Sequence, residues 1–187
     1  ECFNINGKAK GRSHCLVCKF QLSPVVLIFT KEPADGKDGP LNDLLEQLDK
    51  LTALPDFEER EFSVGVVFLS PDALDSTNNA QENDTDKIIK EAVNREKLVK
   101  RLEERAKPFK KDDDKDRVIV ATYKLEGPEK YKLDPKAEQT ILFYDRMKII
   151  DTWSFEPGAL VGKDVEAIVK RLRDKVPLRK LAAQKKA

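Results

Sequence analysis

A chain of 187 residues, 40% of them hydrophobic, is long enough to bury a core without disulfides or metals as staples, and it most simply makes one elaborated domain. Its 35 Lys+Arg stand against 34 Asp+Glu, so no net field marks a nucleic-acid binder. No apolar run approaches the roughly 18 to 20 residues of a membrane helix, so a soluble protein with no nucleic-acid partner and no membrane span is expected.

Residues 1–23 hold Gly7, Gly11, several basic residues and all three cysteines, with little apolar periodicity. We read them as an arm or irregular hairpin laid over the core. Three cysteines are too few for a disulfide-dense secreted scaffold. The chain opens on Glu1 rather than methionine, which fits a trimmed chain or a removed targeting peptide.

Residues 24–177 read as the main domain. Pro24 to Thr30 is apolar on both faces, as a covered central strand is. After a loop from Lys31 to Gly39, Pro40 opens a helix whose leucines 41, 44, 45, 48 and 51 recur every three or four residues and make one face; Pro55 ends it. Phe62 to Leu69 is a second strand, and strand, helix, strand predicts parallel pairing through a right-handed crossover. Pro71 to Asp84 is a polar surface loop with a formal glycosylation acceptor, Asn83-Asp84-Thr85, of the kind that chance often supplies. A helix from about Asp84 to Ala106 follows, with Ile88, Ile89, Ala92, Val93, Val99, Leu102 and Ala106 on one stripe. The charge run Lys110 to Arg117 reads as a solvated turn, since it lacks the glycine and the terminal glutamate of a calcium loop.

Val118 to Tyr123 is a third strand. Gln139 to Tyr144 and Met147 to Phe155, joined through Asp145-Arg146, are close enough to require an antiparallel hairpin. Asp164 caps a last helix with Val165, Ile168, Val169, Leu172 and Val176. Residues 178–187, with Arg179, Lys180, Lys185 and Lys186 and no acid, are expected to be a solvated, disordered tail.

This order resembles the thioredoxin fold, carried by Pro24 to Thr30 as central strand, Phe62 to Ser70 as its parallel neighbour, the hairpin 139–155 and the helix 164–177. The resemblance covers roughly residues 13–177. It implies an α/β domain with a mixed sheet, parallel strands plus a C-terminal antiparallel hairpin, flanked by helices. Cys15-Leu-Val-Cys18 followed by Pro-Val-Val-Leu-Ile-Phe-Thr also resembles bacterial exported thioredoxin-like proteins, which begin after signal removal much as Phe3-Asn4-Ile5-Asn6-Gly7 does here. That implies an exported, periplasmic or extracellular setting and protein thiols or disulfides as partners.

Two features depart from the family. Its Cys-x-x-Cys follows the central strand, where a helix N-terminus stabilises a thiolate; here the pair precedes the strand and the loop 31–37 has no cysteine. Because a strand rises about 3.3 Å per residue, Cys15 and Cys18 are expected near the opposite end of the strand from that loop, unless the arm folds back. The family also places a cis-proline just before Thr-Ile-Leu-Phe, a position held here by Gln139.

Three readings of the cysteines stay open. Cys15 and Cys18 make a dithiol in which Cys15 attacks and Cys18 resolves, with His14 and Lys19 favouring a thiolate. Alternatively, they form a structural disulfide in a non-catalytic interaction domain, although so short a loop gains little chain entropy on closure. Last, Cys2, His14, Cys15 and Cys18 bind zinc or copper, against which stands the divergent aim of adjacent His14 and Cys15. Cys2 is left as a free thiol, a mispaired one or a link to another chain. No cofactor is indicated: there is no glycine-rich phosphate loop and no Gly-x-Ser-x-Gly elbow, and one histidine builds no standard triad. Trp153 and Tyr144 read as packing residues, and Glu103 and Glu104 as an exposed helix face. Nothing in the chain specifies an oligomeric state.

Overall fold

The computed structural model describes residues 1–32, 39–73, 85–109 and 117–177. Loop residues 33–38, the stretch 74–84 with Asn83 of the acceptor motif, the charge run 110–116 and the tail 178–187 lie outside the described residues.

In chain order the elements are β1 (Cys2–Asn4), β2 (Ser13–His14), α1 (Leu16–Phe20), β3 (Val25–Lys31), α2 (Gly39–Thr52), α3 (Pro55–Glu59), β4 (Ser63–Leu69), α4 (Thr85–Ala106), β5 (Val118–Tyr123), β6 (Gln139–Asp145), β7 (Lys148–Phe155) and α5 (Gly162–Lys175). Among the described residues seven strands form one sheet, in the order β2-β1-β5-β4-β3-β6-β7. The apolar runs at β3, β4 and β5 become its centre because only strands covered on both faces can be apolar throughout. β3 runs parallel to β4 and antiparallel to β6, and β4 runs parallel to β5.

Val26 and Ile28 of β3 point to a core shared with α2, α4 and α5, whereas Val25, Leu27 and Phe29 point to the opposite face with Leu16 and Phe20 of α1. α2 buries Leu41, Leu44, Leu45, Leu48 and Leu51, each contributing about 1.5–3 kcal/mol of transfer energy. The crossovers β3-α2-β4 and β4-α4-β5 step the same way along the sheet, so right-handed connections place both helices on one face. α5 closes that face beside α2. A central strand with one parallel and one antiparallel neighbour, a terminal hairpin and a closing helix make this a thioredoxin-like α/β domain. α1 and the segment after β5 cover the other face, where Gly127 holds a positive φ of 69°.

Several expectations change in detail. The N-terminal arm is a hairpin that extends the sheet: β1 pairs with both β2 and β5, and Asn6 continues the pairing by donating to Val118 O and accepting from Val120 N–H. In α4 the buried stripe is Leu98, Leu102 and Ala106, while Ile89 and Val93 of its first half are 57% and 42% exposed; periodicity marks an apolar face but cannot say how much of it finds a partner. Pro55 ends one helix and begins another, a position its fixed φ suits. Asp164 lies inside α5, not ahead of it, and its carboxylate accepts from Val161 N–H. The hairpin turns at Arg146-Met147, with φ of 51° and 61°, the twist that a two-residue connection demands even without glycine or asparagine.

Candidate functional site

Residues 13–20 carry the chain from the sheet edge onto the face opposite α2. Cys15 keeps extended backbone (φ −80°, ψ 107°) and α1 starts immediately after it. Its Sγ therefore occupies the helix-capping position and accepts from Cys18 N–H at 3.1 Å, the task serine or aspartate usually performs. Leu16 and Phe20, one turn apart, are buried on the sheet, while Val17 is half-buried and Cys18 exposed. Cys15 and Cys18 are joined as a disulfide, with Cα atoms 5.2 Å apart.

The arm does fold back. Cys15 shares a cavity with Leu27 and Phe29 of β3 and with Tyr123 at the end of β5. Tyr123 pairs with Leu69, which in turn pairs with Lys31, so the cavity reaches toward the C-terminal end of β3. The expectation from chain order alone, that the cysteines stay at the far end of β3, is thereby corrected: α1 runs back over the sheet because Leu16 and Phe20 need an apolar surface.

The cavity holds about 740 Å³. Leu27, Phe29 and Val67 form its floor, α1 one wall and Pro128 to Tyr131 the other, with Met147 across one end. The Tyr131 ring lies 5.0 Å from that of Phe29. Lys124, Lys130, Glu1 and Glu129 also border it, so its rim has mixed charge above an apolar base. Burial pushes the Tyr131 phenol up from its ordinary value. Tyr144, on the same face, is pushed up further, again chiefly by burial, and its hydroxyl has no hydrogen-bond partner among the described residues.

Cys2, a free thiol, lines the same cavity. It donates to His14 O at 3.6 Å, and burial pushes its thiol up from the ordinary value despite a hydrogen bond from the Leu16 amide. His14 sits opposite Cys2 in the ladder, with a buried Nδ1 that has no partner among the described residues. Lys19 places its ammonium over the Phe20 ring. As for the proposed zinc or copper set, Cys15 and Cys18 are bonded to each other in this form. Among the described residues no three His, Cys, Asp or Glu side chains gather as a metal-holding group. Gln139, where the family places its proline, is buried at the start of β6 opposite Thr30.

The sequence pointed to Cys15 and Cys18 but not to the walls around them. Tyr123, Tyr131 and Met147 come from a strand end, a polar segment and a turn, and only the tertiary course brings them together. The pairing of Cys2 with His14 was equally hidden, since a three-residue strand has no alternation to read.

No family model matches this chain, and no curated protein matches it. Among solved structures, it is similar to a putative thiol:disulfide interchange protein DsbE from Chlorobium tepidum, with 17% identity over 93% of this chain and 92% of that one, at a TM-score of 0.49. The exposed lipoprotein thioredoxin Etrx1 from Streptococcus pneumoniae has 14% identity over 93% and 97%, at 0.48. A SCO1/SenC family lipoprotein from Bacillus anthracis has 14% over 92% and 90%, at 0.49.

Proposed function

We propose that this protein exchanges thiols and disulfides through Cys15 and Cys18, as a thiol-disulfide oxidoreductase acting on protein partners. The observation that carries the reading is the Cys15–Cys18 disulfide, whose Cys15 lines an apolar cavity while Cys18 is exposed, so a reactive sulfur lies beside an apolar surface. Residues 1–23 then supply the reactive pair, residues 24–177 the scaffold, and the tail 178–187 takes no part.

In the reducing direction, the Cys15 thiolate attacks one sulfur of a substrate disulfide. The other substrate sulfur leaves as a thiolate and takes a proton from water. The Cys18 thiolate then attacks Cys15 Sγ, closing the pair and releasing the second substrate thiol, so two electrons pass from the protein to its substrate. Cys15 is assigned the attack because Cys18 N–H donates to its sulfur, and a hydrogen bond to the charged form lowers a thiol's pKa. An extracytoplasmic setting suits a disulfide at rest, since such bonds persist where the surroundings are oxidising.

Insulin reduction with dithiothreitol as electron donor tests the reading. Wild type should accelerate it, and Cys15→Ser and Cys18→Ser should each abolish the acceleration. Unchanged rates in both variants would remove the pair from any mechanism. One observation favours the non-catalytic alternative: buried Leu16 and Phe20 anchor α1 firmly, as a purely structural clasp would require.

A further inference from the structure

We propose that Cys2 is a third exchange thiol, which attacks Cys15 within the Cys15–Cys18 disulfide, moves the bond to Cys2–Cys15 and frees Cys18. The inference rests on the reading that the Cys15–Cys18 bond is exchangeable, and it adds a residue and a reaction to it.

The ladder supplies the geometry. Cys2 pairs directly with His14. A regular strand would turn Cys15 to the other face, but β2 ends at His14 and α1 starts just after Cys15, so Cys15 lines the same cavity as Cys2 on the face that buries Leu16. Opposed Cα atoms lie about 4.5–5.5 Å apart and one strand step adds about 3.4 Å, which puts the Cα atoms of Cys2 and Cys15 roughly 6 Å apart, within the span a disulfide accepts. The Cys2 thiol donates to His14 O, the backbone carbonyl that joins Cys15. Both cysteines line one cavity.

The step is balanced without any outside oxidant. Cys2 gives its proton to solvent, its thiolate bonds Cys15 Sγ, and the Cys15–Cys18 bond breaks. Cys18 leaves as a thiolate and is protonated by water. One disulfide and one thiol exist before and after. Cys18 is the exposed member of the pair, so the protein, still oxidised, now offers an accessible thiol that can open a disulfide in a protein substrate. A Cys15–Cys18 form can only accept electrons; a Cys2–Cys15 form can also reshuffle existing bonds.

The experiment is rapid acid quench and alkylation of the full chain, followed by mapping of disulfide-linked peptides by mass spectrometry. Cys18→Ser, incubated with oxidised glutathione, should form an intramolecular Cys2–Cys15 bond at least roughly tenfold faster when folded than in guanidinium, because the fold holds the two together. Wild type equilibrated at pH 8 should yield a fraction with Cys2 linked to Cys15 and Cys18 alkylated, a result that stands even if the variant does not fold. Cys2 alkylated throughout in oxidised wild type, with Cys18→Ser forming only a glutathione adduct, would overturn the proposal. Insulin reduction by the same wild-type sample separates the two readings: activity without the Cys2–Cys15 species defeats only this inference, and the species without activity defeats only the oxidoreductase.

Discussion

Leu16 Cδ1 lies 3.1 Å from the point where a β-carbon on Gly65 would stand, and Leu27 Cδ1 lies 3.0 Å from it. The disulfide-bearing helix therefore rests on the sheet through a gap that glycine leaves in the middle of β4. Phe20 Cε2 fills the same gap from one turn further along, 3.8 Å away.

Filling that gap should lift α1. Gly65→Val places extra carbons against Leu16 and Leu27, which are 3% and 2% exposed and have little room to move. Overpacking of this kind costs about 1–3 kcal/mol. Urea denaturation should show that loss, and amide exchange should show lower protection in residues 17–21 than in α2. Stability equal to wild type would mean that α1 does not depend on this contact.

A second prediction concerns the clasp at the other end of the sheet. Arg60 Nη2 donates to both carboxylate oxygens of Asp145 at 2.8 and 2.9 Å, and its Nη1 donates to Val176 O at 2.7 Å. Both side chains are mostly buried, so the charges are screened less than on an open surface. One guanidinium thus ties α3, the β6–β7 turn and the end of α5. Asp145→Ala leaves the Arg60 charge buried beside a vacated position and should lower stability by about 2–4 kcal/mol, read from the midpoint of chemical denaturation; a change under about 0.5 kcal/mol would mark the pair as a surface contact.

Much of this scaffold can be read directly from the residues. Strands β3 to β5 are apolar on both faces, the α2 leucines keep helical spacing, and the short join at residues 145–147 admits only a hairpin. The arm cannot be read in the same way. Its strands of three and two residues carry no period, and β1 joins the sheet by pairing with β5, more than a hundred residues away. α1 is a single turn and a little more, whose only sequence trace is the four-residue spacing of Leu16 and Phe20. Of the site, the two cysteines were visible as a motif. That Cys15 shares a cavity with Phe29 and Val67 depends on long-range packing that no local pattern records.

Alkaline pH should weaken the fold, and the sign follows from three groups on the α1 face. Cys2, Tyr131 and Tyr144 all have pKa values raised by burial above ordinary values of 9.0 for the thiol and 10.0 for the phenols. The unfolded chain then loses these protons first. Stability is untouched below about pH 9 and falls as pH rises beyond it, at most by about 1.4 kcal/mol per pH unit for each group titrating. Denaturation curves from pH 8 to 11 should show the decline, and Tyr144→Phe should make it shallower while costing little at pH 7, since the lost hydroxyl has no partner among the described residues. A flat profile to pH 11 would contradict the burial of these groups.

The hairpin turn offers a gain in place of a loss. Arg146 and Met147 both hold positive φ, a conformation that asparagine and glycine adopt with less strain. Arg146→Asn with Met147→Gly should raise stability by about 0.5–1 kcal/mol. An unchanged or lower melting temperature would mean that Met147 gives more through its place at the cavity end than the turn loses by it.

The central claim is that Cys15 and Cys18 exchange with substrate thiols, and the reduction potential of the pair addresses it most directly. Equilibration of the wild-type protein with glutathione buffers, read by alkylation of Cys15 and Cys18, should give a potential above about −300 mV, within reach of cellular thiol donors. A potential well below that value would mark the bond as a permanent clasp on the arm and contradict the account.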